Sequence, residues 1–303
     1  MTPYIQSKIK AFMGRIDNWT QEFLDFPGKT DIALKAHANE WLDKGETVWI
    51  QGMNDIRVST AYETYKRNAR LVGETITISD FKSVYALELN RLATRDLTKA
   101  RMLRNNIARN LQGNIDTIYK EFDTLSKESF GLSLDAIKKE FINKADFYEV
   151  INFEVKYKRF DKATGTYKTI TAQWDPMSYA EMWARTRSSE MASIANEESM
   201  QEYGLDIVRI SDHNTTTPIC MLYEGQYFSL TGKTPGLPIL TMRPPFHPNC
   251  KHTEFAVERD RVSPLISTNT KLERRAKTAE KKWTPAQKDQ IIKQQEYQAV
   301  NRA

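Results

Sequence analysis

The chain has 303 residues, 40% of them hydrophobic and 27% charged, with a mean hydropathy of −0.60 and a formal net charge of +5. That length supports one large domain or two ordinary ones, and the composition is that of a soluble protein with much solvated helical surface. No run approaches the roughly 20 apolar residues of a membrane span. Charged residues break up the N-terminal "MTPYIQSKIKAFMGRIDNW" where a signal peptide needs an apolar core, and so small a net charge does not by itself demand a nucleic-acid partner. The expectation is a chain kept in the cytoplasm, where its two cysteines stay reduced and serve as ligands or core residues rather than a disulfide.

The first half reads as helix. "YIQSKIKAFMGRIDNWTQEFLDF" and "DIALKAHANEWLDKG" are amphipathic; the second ends at Gly45, a helix stop, and carries His37 as a surface or packing residue. In "LTKARMLRNNIARNLQGNIDTIYKEF", Leu103, Ile107, Leu111, Ile115, Ile118 and Phe122 recur at steps of four, four, four, three and four, one face of a helix, while Arg101, Arg104, Arg109 and Lys120 lie off that row. This is a core-facing stripe with solvated charges rather than a basic groove.

Near residue 150 the period changes. "EVINFEVKYKRFDKATGTYKTITAQW" offers two runs rich in β-branched and aromatic residues around "DKATG", a hairpin with a glycine-containing loop. Helix returns in "DPMSYAEMWARTRSSEMASIANEESMQEYG": Asp175 or Ser178 can cap its start, with Glu181 completing a capping box after Ser178, and Gly204 closes its end. "LDIVRISD" follows as a short strand, and "FHPNCKHTEFAV" runs into another. The fold class expected is α+β. A helical N-terminal half, 1–147, precedes an α+β domain, 148–262, with a β-hairpin, a long helix and a Cys/His loop; a polar, basic C-terminal arm, 263–303, follows.

Five of the six cysteines and histidines fall between residues 213 and 252: His213, Cys220, His247, Cys250 and His252. His247 and Cys250 have the two-residue separation of a zinc knuckle, in which a tight turn presents two ligands. Pro248 biases His247 toward extended backbone and Asn249 suits the turn. Should Cys250 start a strand, His252 projects from the same face, because strand side chains alternate. Cys220 can then close a tetrahedral site. Three readings stay open: a metal-free buried cluster, a structural zinc on Cys220, His247, Cys250 and His252, and a metal-dependent nuclease in which "SDHN", His247 and Asn249 loosely follow the HNH pattern. The HNH pattern wants a helix carrying its last histidine, whereas β-branched and aromatic residues rather than a helical stripe follow here. The phosphate-binding GxxxxGK[ST] and GxGxxG and the serine motif GxSxG are absent.

"SYAEMWARTRSSEMA", "SDHNTTTPICMLYEGQYFSLTGK" and "FHPNCKHTEF", taken in order, resemble the minor capsid (head morphogenesis, Mu F-like) family of tailed phages, over residues 150 to 256. The resemblance lays the family's helix signature on Tyr179, Ala180, Glu181, Met182, Arg185 and Thr186. Its loop signature falls on Asp212, Cys220, Glu224 and Gly225, and its closing signature on His247, Pro248, Cys250 and His252. Where relatives carry a second loop cysteine this chain has Tyr223, so a zinc here must use histidine. The resemblance implies a non-enzymatic virion component of few copies near the portal, acting in head assembly and DNA packaging or ejection. Portal protein and major capsid protein would be its partners; the host cytoplasm and then the phage head would be its location.

The tail from Lys271 to Ala303 holds nine basic against four acidic residues, which accounts for the whole net charge. Lys271, Arg274, Arg275, Lys277, Lys281 and Lys282 are candidates for contact with DNA or an acidic portal surface, with Trp283 and Tyr297 available to stack on bases or pack on a partner. A solvated helix of mixed charge is the alternative.

Overall fold

Ile5, Ile9, Phe12, Ile16, Trp19 and Phe23 alternate steps of four and three, and all six are buried along helix α1 (Pro3–Leu24). The computed structural model describes residues 3–24, 31–84, 86–128, 152–161, 166–247, 250–258 and 262–302. Helix α2 (Asp31–Leu71) lies against α1 through aromatic pairs: Phe12 meets Trp49 edge-on at 5.7 Å, and Trp19 stacks on Trp41 at 4.1 Å. The two stacked indoles also bond each other's backbone. Trp19 Nε1 donates to the Trp41 carbonyl at 2.7 Å and Trp41 Nε1 donates to the Trp19 carbonyl at 2.5 Å.

Gly45, expected to stop a helix, lies inside α2. A Cβ there would fall 2.2 Å from the Trp19 ring, and one at Gly52 would fall 2.0 Å from the Phe12 ring. These glycines serve close helix approach rather than termination, which outweighs their poor helix propensity. His37 stacks on Phe23 at 5.5 Å, a packing histidine.

Helix α3 (Ile78–Val84) leads into α4 (Ala86–Glu128), whose Ala100, Leu103, Ile107 and Leu111 are buried in the α1–α2 core. The side chains of Ile115, Ile118 and Phe122 lie outside the described residues. Strands β1 (Phe153–Asp161) and β2 (Thr166–Trp174) form the expected antiparallel hairpin, in register from Phe153↔Trp174 to Asp161↔Thr166. Most of its "DKATG" turn, residues 162–165, lies outside the described residues.

Helix α5 (Pro176–Glu202) starts at Asp175, whose Oδ1 accepts from Ser178 N at 2.9 Å, so Asp175 rather than Ser178 is the cap. It ends before Gly204, at φ 65. Along its length α5 joins three apolar clusters: Ala180, Trp183 and Ala184 enter that of Phe12 and Trp49, Met191 and Ala195 that of Tyr65 and Phe81, and Met200 that of Val208 and Ile210. Small residues at many of its positions allow packing on more than one side.

Beyond α5 the strands β3 (Ile207–Ile210), β4 (Tyr227–Ser229) and β5 (Glu254–Val257) form an antiparallel sheet in the order β4-β3-β5, with the short helix α6 (Pro218–Met221) between β3 and β4. The polar C-terminal segment folds as α7 (Val262–Glu280) and α8 (Pro285–Arg302). Leu265, Asn269, Ala276 and Ile291 are buried beneath it. Asn269 closes the open edge of β4: its Oδ1 accepts from Tyr227 N at 2.8 Å and its Nδ2 donates to Tyr227 O at 2.6 Å. Trp283 is partly buried and packs on the cluster of Tyr223 and Phe246. The Tyr297 side chain lies outside the described residues. No described helix is long and apolar enough to cross a membrane.

Candidate metal centre

Strand β3 delivers the chain into a loop that Asp212 and Asn214 shape. Asp212 Oδ1 accepts from Asn214 N at 3.1 Å, and Asn214 adopts a left-handed φ of 53, which asparagine tolerates. The amides on either side then converge: His213 N donates to Glu224 Oε1 at 2.6 Å and Thr215 N donates to the same oxygen at 3.0 Å. Such converging amides form a small anion nest, here filled by the chain's own carboxylate.

Pro218 opens α6, and the turn after it is held by Tyr223 N and Glu224 N, both donating to Cys220 O at 3.1 and 2.9 Å. Gly225, at φ 75, then bends the chain back toward β4. Cys220 and Glu224, four residues apart, are thereby both directed inward. The other half of the pocket comes from residues 246–254. Phe246 is fully buried and stacks on Tyr223 at 4.9 Å, and Cys250 N donates to His247 O at 3.1 Å, closing the turn. Pro248 and Asn249 lie outside the described residues. Cys250 and His252 are buried with Lys251 exposed between them, the alternation of extended chain running into β5. Ser189 Oγ from α5 donates to His252 O at 2.8 Å, which pins this segment to the long helix.

Cys220, Cys250 and His252 each offer a ligand atom, all within 4.8 Å of one another, at exposures of 0, 3 and 3%. Cys250 Sγ lies 3.5 Å from His252 Nδ1. An ion bound at about 2.3 Å to sulfur and about 2.0–2.1 Å to nitrogen at a tetrahedral angle separates those ligands by about 3.5 Å, so the pair is already spaced for one. No disulfide joins the two cysteines. Hydrogen bonding between them splits their acidities. The Cys220 side chain stabilises the Cys250 thiolate against burial, aided by His247 and His252, and pushes the Cys250 pKa down. The same bond, followed by burial, pushes Cys220 up. Burial lowers the pKa of His252, but Cys250 and Glu224 outweigh it and hold the pKa above the ordinary imidazole value. A thiolate facing an imidazole in a dry pocket is a donor set for a soft or borderline cation.

Of the four expected ligands the structure thus groups three. His247 is half-buried beside them and hydrogen-bonds the Cys250 sulfur without joining the group. His213 packs edge-on against His252, ring centroids 5.0 Å apart, with its Nε2 3.0 Å from Ser211 Oγ. Burial, then His252, lowers the His213 pKa. Residue spacing gives Glu224 no role; the cues to it are its place in the loop signature of the family resemblance and its position as an acid within the apolar run "CMLYEGQYF". Yet it is 6% exposed, with Oε1 3.3 Å from His252 Nε2. Elsewhere, Lys271, Arg274, Arg275, Lys277, Lys281 and Lys282 are all exposed along α7 and just beyond it. Arg274, Arg275 and Lys282 line a shallow groove of about 410 Å³ with Met221, Thr278 and Ala279. Arg275 Nη2 also donates to Asn214 Oδ1 at 2.8 Å, tying this face to the pocket loop.

No curated protein and no solved structure matches the chain. Residues 163–297, which span the end of the hairpin, α5, the three-stranded sheet, the Cys/His pocket and most of the C-terminal helices, match the family model described as phage minor capsid protein 2. The likeness to phage minor capsid protein 2 covers this C-terminal part of the chain, 135 of its 303 residues.

Proposed function

We propose that the chain is a minor, non-enzymatic component of a tailed-phage head, seated at the portal and acting in head assembly and in DNA packaging or ejection. Portal protein and major capsid protein are its partners; it is recruited in the host cytoplasm and retained in the virion. The family match over residues 163–297 carries this reading. Within that role, the Cys/His pocket holds one structural zinc through Cys220, Cys250 and His252, with His247 entering as the fourth ligand from the turn it shares with Cys250. Zinc prefers thiolate and imidazole, and a closed, buried site suits a structural ion, whereas a catalytic ion keeps an open position. The near-complete burial of the three grouped ligands therefore weighs against the HNH-like nuclease, whose substrate phosphate must reach the metal. Bound zinc would cross-link the loop after β3 to the segment before β5. The six exposed cations from Lys271 to Lys282 supply the contact with DNA or an acidic portal surface.

Purified heads test the reading. Quantitative mass spectrometry should find the chain in fewer copies than the major capsid protein, and cross-linking should join it to the portal. Heads of normal composition that lack the chain would overturn the proposal. So would robust divalent-metal-dependent DNA cleavage by the purified protein that is lost in His213→Ala.

A further inference from the structure

We propose that Glu224 is a positioning residue for the metal: it holds the His252 ring so that Nδ1, rather than Nε2, faces the ion. The inference rests on the metal reading of the pocket and goes beyond its ligands. An ionised carboxylate only accepts hydrogen bonds, so the 3.3 Å contact between Glu224 Oε1 and His252 Nε2 places the imidazole proton on Nε2. The lone pair of the neutral ring is then on Nδ1, the atom 3.5 Å from Cys250 Sγ and therefore on the ligand side. Histidine ligands are characteristically fixed in this way, by a carboxylate on the nitrogen remote from the metal.

The carboxylate is itself immobilised. Thr215 N donates to Glu224 Oε2 as well as to Oε1, both at 3.0 Å, and His213 N donates to Oε1 at 2.6 Å. The left-handed turn at Asn214 directs those amides, and Arg275 holds the Asn214 side chain from α7. Glu224 is not among the grouped ligand atoms, because it lies on the far edge of the imidazole. Its work is on the ring: with the His252 carbonyl tied to Ser189 and Nε2 tied to Glu224, the imidazole is fixed before any ion arrives. Each of these bonds also joins the pocket to a separate part of the chain, α5 through Ser189 and the 213–215 loop through Glu224.

The test is a zinc titration of the metal-free full chain in competition with a chromophoric chelator, comparing wild type with Glu224→Gln. Glutamine keeps the shape and one amide-accepting oxygen but removes the charge and replaces the second acceptor with an NH2 donor. Zinc affinity should fall by about 10- to 100-fold with stoichiometry unchanged, while the melting temperature of the metal-free protein moves little. Equal affinities in the two proteins would reduce Glu224 to a loop anchor and overturn the proposal, leaving the metal reading intact. Wild type that takes up no zinc would overturn both. Nitrogen-15 NMR of the zinc-loaded wild type gives a second decision independent of any variant's folding. The proton should reside on Nε2 of His252, and a proton on Nδ1 would refute the assignment.

Discussion

Cys250 and His252 stand two residues apart and face the same way, Sγ of one 3.5 Å from Nδ1 of the other, with Lys251 turned out to solvent between them. The alternation of extended chain is enough to create that pair. Cys220 arrives from a separate turn, so the third ligand depends on tertiary packing: Phe246 on Tyr223, and Ser189 on the His252 carbonyl. Two sequence-distant segments thus meet in one dry pocket.

At the α1–α2 crossing, the sign of a glycine substitution is diagnostic. In an exposed helix interior, Gly→Ala stabilises by about 0.5–1 kcal/mol. Gly45→Ala and Gly52→Ala should instead destabilise by about 1–3 kcal/mol each, because the new methyl would meet the Trp19 and Phe12 rings at 2.2 and 2.0 Å. Gly14, where a Cβ meets nothing within 4 Å, is the control and should show the ordinary gain. Urea melts of the three variants would measure it.

Helices α2, α4 and α5 also enclose a buried group of charges, whose burial outweighs their mutual attraction and pushes the Asp96 pKa up and the Arg57 pKa down. Arg57 Nη1 from α2 lies 2.5 Å from Asp96 Oδ2 on α4, and Arg187 Nε from α5 lies 3.0 Å from Asp96 Oδ1, with all three side chains at or below 11% exposure. Removing one partner of such a group leaves buried charge uncompensated. Asp96→Ala should therefore lose about 3–5 kcal/mol in equilibrium unfolding, well beyond the loss expected from breaking the exposed Lys44–Glu22 pair.

Much of the fold is legible in local pattern. The α1 stripe, the α4 row through Leu111, the hairpin pairing, the Asp175 cap and the Gly204 stop all follow from periodicity or local hydrogen bonding. Gly45 misleads because a helix stop and a close helix crossing require the same residue, and only the distant Trp19 ring tells them apart. The polar C-terminal segment has a composition that hides two packed helices, since a few buried residues such as Leu265, Ala276 and Ile291 suffice to dock it. At the pocket, residue spacing exposes the Cys250 and His252 pair, but not Glu224. Its role depends on a loop that converges on it only through the left-handed turn at Asn214.

Acid should loosen the segment after β4 through Asp206. Its carboxylate accepts from Ser229 Oγ at 2.6 Å, Thr234 Oγ1 at 2.5 Å, Thr231 Oγ1 at 2.7 Å and Thr231 N at 2.9 Å. Burial works to raise its pKa, but the hydroxyls of Ser229, Thr234 and Thr231 and the Thr231 amide together hold it well below the usual carboxylate range. A folded-state pKa below the unfolded value of about 3.9 contributes stability above that pH and loses it as pH falls toward the folded pKa. Thermal melts of wild type and Asp206→Asn from pH 6 downward should show a wild-type advantage that is constant at first and shrinks below about pH 4. An advantage independent of pH would contradict the role of the charge.

The pocket itself is tested most directly by the metal content of the purified full chain, measured by elemental analysis beside a Cys220→Ser, Cys250→Ser double variant. Wild type should carry one zinc per chain and the double variant none. Stripping the metal with a chelator should raise amide exchange across residues 206–257 while α1, α2 and α4 stay protected, because binding energy in small zinc sites is on the order of 10 kcal/mol and orders the loops that supply the ligands. Wild-type protein without stoichiometric metal, melting identically with and without chelator, would contradict the structural zinc centre.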